Sequence, residues 1–391
     1  MKAPWIRLKA SSRALKTSAL SEEAGRMRIM TWRSVSAIRL VRLNRYTGKT
    51  ANTMHRLLVQ IRRLTALCGA FLFRIKVLGA LLNLAQYLFS RQAVLSGPSF
   101  LQIEPTNNCN LSCLLCPAGN KKMLRPEGLM EPADFKKIID SAAGSLAFIV
   151  FYNLGEPFLH DGIFEMADYA ASKKIFVKIS TNGLFKNEAV IEKIIRSGID
   201  ELLVTIDFAD ASSYAGFKGQ DAFYPVKENI RKMVKMRRNN LRPFIKLQLL
   251  MLRGNEKRIG DFKSLCREVA ADGFQVKKVR VNDYKGETHF EFLSENSRFV
   301  RVFYLTDKKT TRACLRPWLS ATIFWDGTVV PCCFDMDGDY RLGNVRDLPL
   351  AEIWRGRKFR DFRAPRLNGS GGRFICSECS FAFSSGNFVR V

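Results

Sequence analysis

A chain of 391 residues, 47% hydrophobic and 25% charged, has enough apolar material for a sizeable core, which excludes a mostly disordered polymer. Its 63 Lys and Arg outnumber 36 Asp and Glu, a net charge of +27, and the excess is uneven: residues 1–95 hold 18 basic residues against only Glu22 and Glu23. No apolar run reaches the ~18 residues a membrane-crossing helix needs, and the first 30 residues lack the apolar segment of a secretory signal.

Residues 1–97 read as a basic helical extension. Its opening is basic and acid-poor, which leaves a transit peptide open, and Met27, Met30 and Met54 are each candidate starts. Over 56–92, apolar residues recur at three- and four-residue spacing with Arg62, Arg63, Arg74, Lys76 and Arg91 between them. That pattern fits amphipathic helices packed on the main domain, or a helix lying on an anionic membrane surface. Aromatic residues are not interleaved with the charges, so no nucleic acid is expected as partner.

Gly97-Pro98 ends that pattern, and an alternation follows. Strand-like runs at 100–104, 147–152, 176–180, 201–207, 245–252 and 276–281 are separated by helical patterns at 132–143, 163–173, 188–197, 223–238 and 257–271. Pro132 suits a first helical turn, where its missing N–H does no harm. The alternation predicts an α/β fold with a parallel sheet across 98–290. Six units are too few for a closed eightfold barrel, so the expectation is a partial (β/α)6 TIM-like barrel. Residues 300–391 show turns, one short helix near 350–362 and grouped cysteines, and read as a small cysteine-rich α+β domain.

Eight of the ten cysteines lie in or beside tight groups: Cys109, Cys113 and Cys116; Cys314 upstream of Cys332 and Cys333; Cys376 and Cys379. In a long chain without a secretion signal these read as metal or cluster ligands in a reducing, cytoplasmic compartment, not as disulfides. Cys68 and Cys266 read as buried thiols, and His55, His160 and His289, single and scattered, as structural. The first group is C-x3-C-x2-C directly after the first strand. It supplies three thiolates and no nearby histidine. A structural zinc wants four ligands, whereas a four-iron cluster held by three thiolates keeps one iron open.

This segment resembles the signature of the radical S-adenosylmethionine (SAM) superfamily. The resemblance implies a [4Fe–4S] cluster on Cys109, Cys113 and Cys116 whose open iron binds SAM, reductive cleavage to a 5′-deoxyadenosyl radical, and an electron donor such as flavodoxin or ferredoxin. The residue before the third cysteine, usually aromatic in that family, is Leu115. Further strand ends agree. Gly155-Glu156-Pro157 resembles the family's G-E-P motif, its glycine admitting the methionine moiety and its carboxylate facing the SAM ammonium. Ser180-Thr181-Asn182-Gly183 resembles the turn near the ribose. Asp207 ends the fourth strand, where Phe208 replaces the family's frequent glycine, and Gln248 and Asn255 match positions that often face the cofactor. Four motifs in order at strand ends are where α/β barrels assemble sites.

On spacing alone, Cys314, Cys332, Cys376 and Cys379 could close a zinc ribbon. Beside the preceding domain they resemble the SPASM/twitch extension, which implies an auxiliary [4Fe–4S] cluster. A single one is expected, because no further cysteine follows Cys379. Cys333 can replace Cys332, although the spacing from Gly327 favours Cys332. The expected function is a radical SAM oxidation of a small-molecule or lipid-like substrate. A peptide ranks lower, since residues 1–95 show no strand pair of a winged-helix recognition domain. Glu104, Asp207, Arg253, Arg280 and Asp283 are candidate proton acceptors by position only, and the sequence does not choose among them. The rival class is a basic zinc- or cluster-binding protein for membrane or nucleic acid.

Overall fold

Six parallel strands form in the predicted order: β1 (Phe100–Ile103), β2 (Phe148–Phe151), β3 (Phe176–Thr181), β4 (Glu201–Thr205), β5 (Phe244–Met251) and β6 (Gly273–Val281). The computed structural model describes residues 70–237, 240–281, 294, 300–302, 314–367 and 388–389. Parallel neighbours need crossovers, and helices supply them: α2 (Pro132–Ala142), α3 (Ile163–Ser172), α4 (Glu188–Arg196), α5 (Ala211–Lys218), α6 (Phe223–Arg237) and α7 (Ile259–Glu268). In α2, Pro132 opens the helix and Phe135, Ile138, Ile139 and Ala142 are buried at helical spacing. Each large apolar side chain buried this way contributes about 1.5–3 kcal/mol.

Successive strand residues point to opposite faces. Leu101, Ile103, Ile149, Phe151, Val177, Ile179, Leu202, Val204, Leu247 and Leu249 belong to the core under the helices. The alternate positions carry Gln102, Lys178, Glu201, Gln248, Gln275 and Lys277, a polar concave face. At the strand starts that face carries rings instead: Phe148 lies 5.1 Å from Phe100 and 5.4 Å from Phe176.

The C-terminal part joins this sheet, which its lack of alternation did not foretell. After α8 (Arg316–Leu319), β8 (Ser320–Ile323) pairs parallel with β1, Phe100 opposite Ser320. Antiparallel β9 (Thr328–Val330) and β10 (Gly343–Asn344) follow. On the other edge, β7 (Val300–Val302) and β11 (Phe388–Val389) both pair with β6. The predicted single helix near 350–362 is two, α9 (Leu350–Arg355) and α10 (Arg357–Leu367). The unforeseen α5 is eight residues long and contains Gly216, too short and too mixed to show a period.

The first described helix, α1 (Ala70–Leu88), is tied to the barrel. Lys76 Nζ donates to the carbonyls of Lys173 (3.4 Å) and Lys174 (2.9 Å), at the negative end of the α3 dipole. Asn83 donates to the carbonyls of Ser96 and Gly97 and accepts from the Ser96 N–H. The opposite side of α1 carries Ile75, Leu78, Leu81 and Leu82, all exposed, with Phe89 just beyond the helix 74% exposed.

Candidate functional site

The carboxyl ends of β2 and β3 are locked together by Glu156. Its Oε1 accepts from the Thr181 hydroxyl (2.7 Å) and the Phe158 N–H (3.2 Å), and its Oε2 from the Asn182 N–H (2.7 Å). Three of roughly four acceptor positions on the carboxylate are thus filled by the protein. Burial pushes the Glu156 carboxyl up to about 7. The G-E-P turn therefore braces the S-T-N-G turn, a role the motif reading did not assign. Gly155 sits at φ +77°, and a Cβ there would lie 2.5 Å from the Thr106 carbonyl oxygen. Gly155→Ala is expected to destabilise the protein by at least about 2 kcal/mol, from left-handed strain alone, read as a lowered midpoint in urea.

The cysteine loop rests on this brace. Asn182 Nδ2 donates to Asn110 Oδ1 at 2.7 Å and approaches Cys109 Sγ at 4.0 Å, while Asn110 Nδ2 donates to the Leu184 carbonyl at 3.0 Å. On its other side the loop pairs with the end of α5: Ser112 N–H donates to the Lys218 carbonyl and Leu114 N–H to that of Phe217, each at 3.1 Å. Burial pushes the Cys109 and Cys113 thiols up to about 11 and raises that of Cys116. Lys218 opposes that rise at all three. This lysine, missed from sequence because α5 was missed, is buried and pairs with Asp207 Oδ2 at 2.5 Å. Burial pulls its ammonium down, but Asp207 and Cys113 outweigh it and hold Lys218 above its ordinary value.

Asp207 is itself held at φ +62°, its Oδ1 accepting from the Leu250 N–H at 2.8 Å. Asn255 Nδ2 donates to its carbonyl at 3.0 Å. Gln248 accepts from Gln275 at 2.8 Å on the concave face, and Ser180 is buried beside the brace. Glu104, a candidate acceptor by position, forms a buried two-pronged pair with Arg125, both contacts at 2.8 Å, and also accepts from Asn153. Its Oε2 accepts from Arg125, Asn153 and the Leu154 N–H, and its Oε1 from Arg125. Arg253 is exposed in the turn Arg253–Arg258. Asp283 and the Arg280 side chain lie outside the described residues. His160 is structural as expected: Nδ1 accepts from the Gly162 N–H at 3.0 Å, which leaves Nε2 to donate to the Met130 carbonyl at 2.7 Å. His55, His289 and Cys68 lie outside the described residues. Cys266 is buried on α7, and burial pushes its thiol up to about 12.

Of the second cysteine set, Cys314, Cys332 and Cys333 are half-buried around Arg316, while Cys376 and Cys379 lie outside the described residues. Arg316 Nη1 donates to Cys333 Sγ at 3.5 Å. Burial lowers the Arg316 guanidinium, but Cys333, Cys332 and Cys314 together raise it further.

The first set fits an iron–sulfur cluster. Three unpaired soft donors on one loop interact with one another electrostatically and share one buried cation. Among the described residues no group of three or more His, Cys, Asp or Glu side chains is already arranged around a single metal ion. In Asn108, the residue before Cys109, the side-chain oxygen is buried without a hydrogen-bond partner.

Residues 103–265 match the Radical SAM superfamily, and residues 314–380 match SPASM, an iron-sulfur cluster-binding domain. The tungsten-containing aldehyde ferredoxin oxidoreductase cofactor-modifying protein of Pyrococcus furiosus is 26% identical over 297 residues, 68% of this chain and 83% of that protein. The PqqA peptide cyclase of Gluconobacter oxydans is 24% identical over 285 residues, 66% of this chain and 77% of that protein. Among solved structures, SuiB of Streptococcus suis bound to S-adenosylmethionine has the same fold, with a TM-score of 0.55 and 17% identity over 72% of this chain and 74% of that one. The chain belongs to the radical SAM superfamily and carries a SPASM domain. It is a radical SAM enzyme, and those domains imply a SAM-binding [4Fe–4S] cluster, SAM and auxiliary iron–sulfur chemistry.

Proposed function

We propose that this enzyme oxidises a small-molecule or lipid-like substrate held in the lumen of the partial barrel. Bound here, the first cluster and SAM supply a hydrogen-abstracting 5′-deoxyadenosyl radical, and one auxiliary [4Fe–4S] cluster supplies an acceptor for the second electron. Cys109, Cys113 and Cys116 are the protein ligands of the first cluster. Cys314, Cys332, Cys376 and Cys379 are those of the second. Gly155, Glu156, Ser180, Asn182, Asp207 and Gln248 shape the SAM site. Lys218 balances the negative charge that gathers where three thiolates and a carboxylate meet. A flavodoxin- or ferredoxin-type protein delivers the electron.

One observation carries this reading: Lys277 on β6 is within electrostatic reach of both Asp207, beside the first cysteine set, and Cys333, in the second. That shared reach supports both sets facing one lumen, as a hydrogen abstraction followed by electron removal requires. The test is deuterium transfer. Labelled candidate substrates, incubated anaerobically with protein, SAM and dithionite, are expected to pass one deuterium to 5′-deoxyadenosine and to yield a product lighter by two hydrogens. Transfer with a redox-neutral product refutes the oxidation. A peptide substrate is the second reading, favoured by the similarity to PqqA peptide cyclase; the same assay with labelled peptides decides it.

We also propose that α1 rests on an anionic membrane surface. No helix among the described residues is long and apolar enough to cross a membrane. The outer side of α1 is nonetheless apolar, with Leu78 56% and Leu81 54% exposed, and the flanking sequence is strongly basic. Apolar insertion plus headgroup attraction is how interfacial helices bind. The protein is expected to float with anionic vesicles, and Leu78→Glu with Leu82→Glu is expected to abolish flotation. Flotation unchanged by those substitutions, or equal on zwitterionic vesicles, contradicts this.

A further inference from the structure

The concave face carries basic side chains, and four of them or their neighbours already meet a carboxylate. Lys178 pairs with Glu201 at 2.7 Å and Lys246 approaches the same group at 4.0 Å. Arg125 is paired with Glu104 at 2.8 Å and Lys218 with Asp207 at 2.5 Å. Lys277 is different. From β6 it spans the lumen to the end of β2, where Nζ donates to Tyr152 Oη at 3.1 Å and lies 5.0 Å from the Tyr152 ring centroid. Tyr152 offers a phenolic oxygen and no carboxylate. No carboxylate among the described residues is within ion-pair distance of Lys277.

We propose that Lys277 and Tyr152 form the binding site for a carboxylate group of the substrate. A half-buried ammonium whose hydrogen-bond partner among the described residues is a phenol and not a carboxylate is costly to hold, and an anion arriving with the substrate offsets that cost. The donor count fits. Nζ keeps two N–H groups beyond the one given to Tyr152, and the phenol, accepting from Nζ, keeps its own O–H. Two donors of different origin side by side suit the two oxygens of one carboxylate. A single positive charge also matches a single negative one, whereas a doubly charged phosphate calls for more cations than this position offers. Burial pulls the Lys277 ammonium down, but Tyr152, Cys333 and Asp207 together hold it above its ordinary value.

The position gives the pair a use. Asp207 and Cys333 are the other groups that Lys277 senses, so an acidic end fixed here places the rest of the substrate between the two cysteine sets. This deepens the radical SAM reading and depends on it only for that placement. SAM cleavage by the unaltered protein tests that reading separately.

The test uses the full reconstituted protein and a matched pair of probes, 4-(trifluoromethyl)benzoate and its neutral amide, followed by fluorine NMR. The benzoate is expected to bind saturably and the amide not. Lys277→Met is expected to weaken benzoate binding at least about tenfold, the loss of one charge-assisted contact. Lys277→Arg is expected to retain it within about threefold, which separates lost charge from a damaged fold. Equal binding of benzoate and amide, benzoate binding unchanged in Lys277→Met, or no saturable benzoate binding at all overturns the proposal.

Discussion

Cys113→Ala is expected to leave about four irons per chain where the unaltered protein holds about eight, and to lower 5′-deoxyadenosine formation by at least about a thousandfold. Changes to groups that merely orient a ligand cost 10–100-fold in metal affinity or activity, and a ligand costs more. Polar groups beside the loop are already engaged: Asn182 pairs with Asn110, Lys218 with Asp207, and Glu156 accepts from Thr181 and Asn182. The matching change in the second set, Cys332→Ala, is expected to remove the other four irons while leaving SAM cleavage in place. Iron analysis with chromatographic measurement of 5′-deoxyadenosine checks both. Full cleavage by Cys113→Ala rejects the ligand assignment.

Lys218→Met is expected to be the most destabilising single substitution in the barrel, at about 3–5 kcal/mol, because it leaves Asp207 buried without its cation. Lys218 also donates to the Thr205 carbonyl at 3.1 Å, which loses that donor. The double variant Asp207→Asn with Lys218→Met is expected to recover much of the loss, since replacing both members of a buried pair is far cheaper than removing one. Urea midpoints of the cluster-free proteins measure this. A single variant as stable as the parent would mean that the pair is solvated and contributes little. Because Lys218 opposes the rise of all three thiols, the single variant should also take up iron more slowly during reconstitution than the double variant does.

The legible parts of this chain were those with strong local period or rigid spacing. The first five strands of the barrel fell within two residues of their predicted starts and ends because β-branched and aromatic runs alternate cleanly with amphipathic helices. Gly155 was read as a place where backbone approaches SAM; in the structure its close approach is to the Thr106 and Asn107 backbone, at φ +77°. What was not legible depends on distant contacts. Ser320–Ile323 is a four-residue strand with two hydroxyl side chains, and only its pairing with β1 makes it a strand. Lys218 carries no motif of its own; its importance comes from folding α5 under the cysteine loop. Glu156 was read as facing SAM, yet its hydrogen bonds make it first a brace between two turns. The Lys277–Tyr152 contact joins residues 125 positions apart, which no local pattern reveals.

On the proposed ligand assignment, the Cys109–Cys116 loop carries a cluster to which SAM binds directly. Electron paramagnetic resonance of the dithionite-reduced Cys332→Ala protein, which keeps only that cluster, tests it with and without SAM. The expected result is a spectrum that shifts on adding SAM, together with formation of 5′-deoxyadenosine. An iron-replete protein whose spectrum is unmoved by SAM would contradict the account.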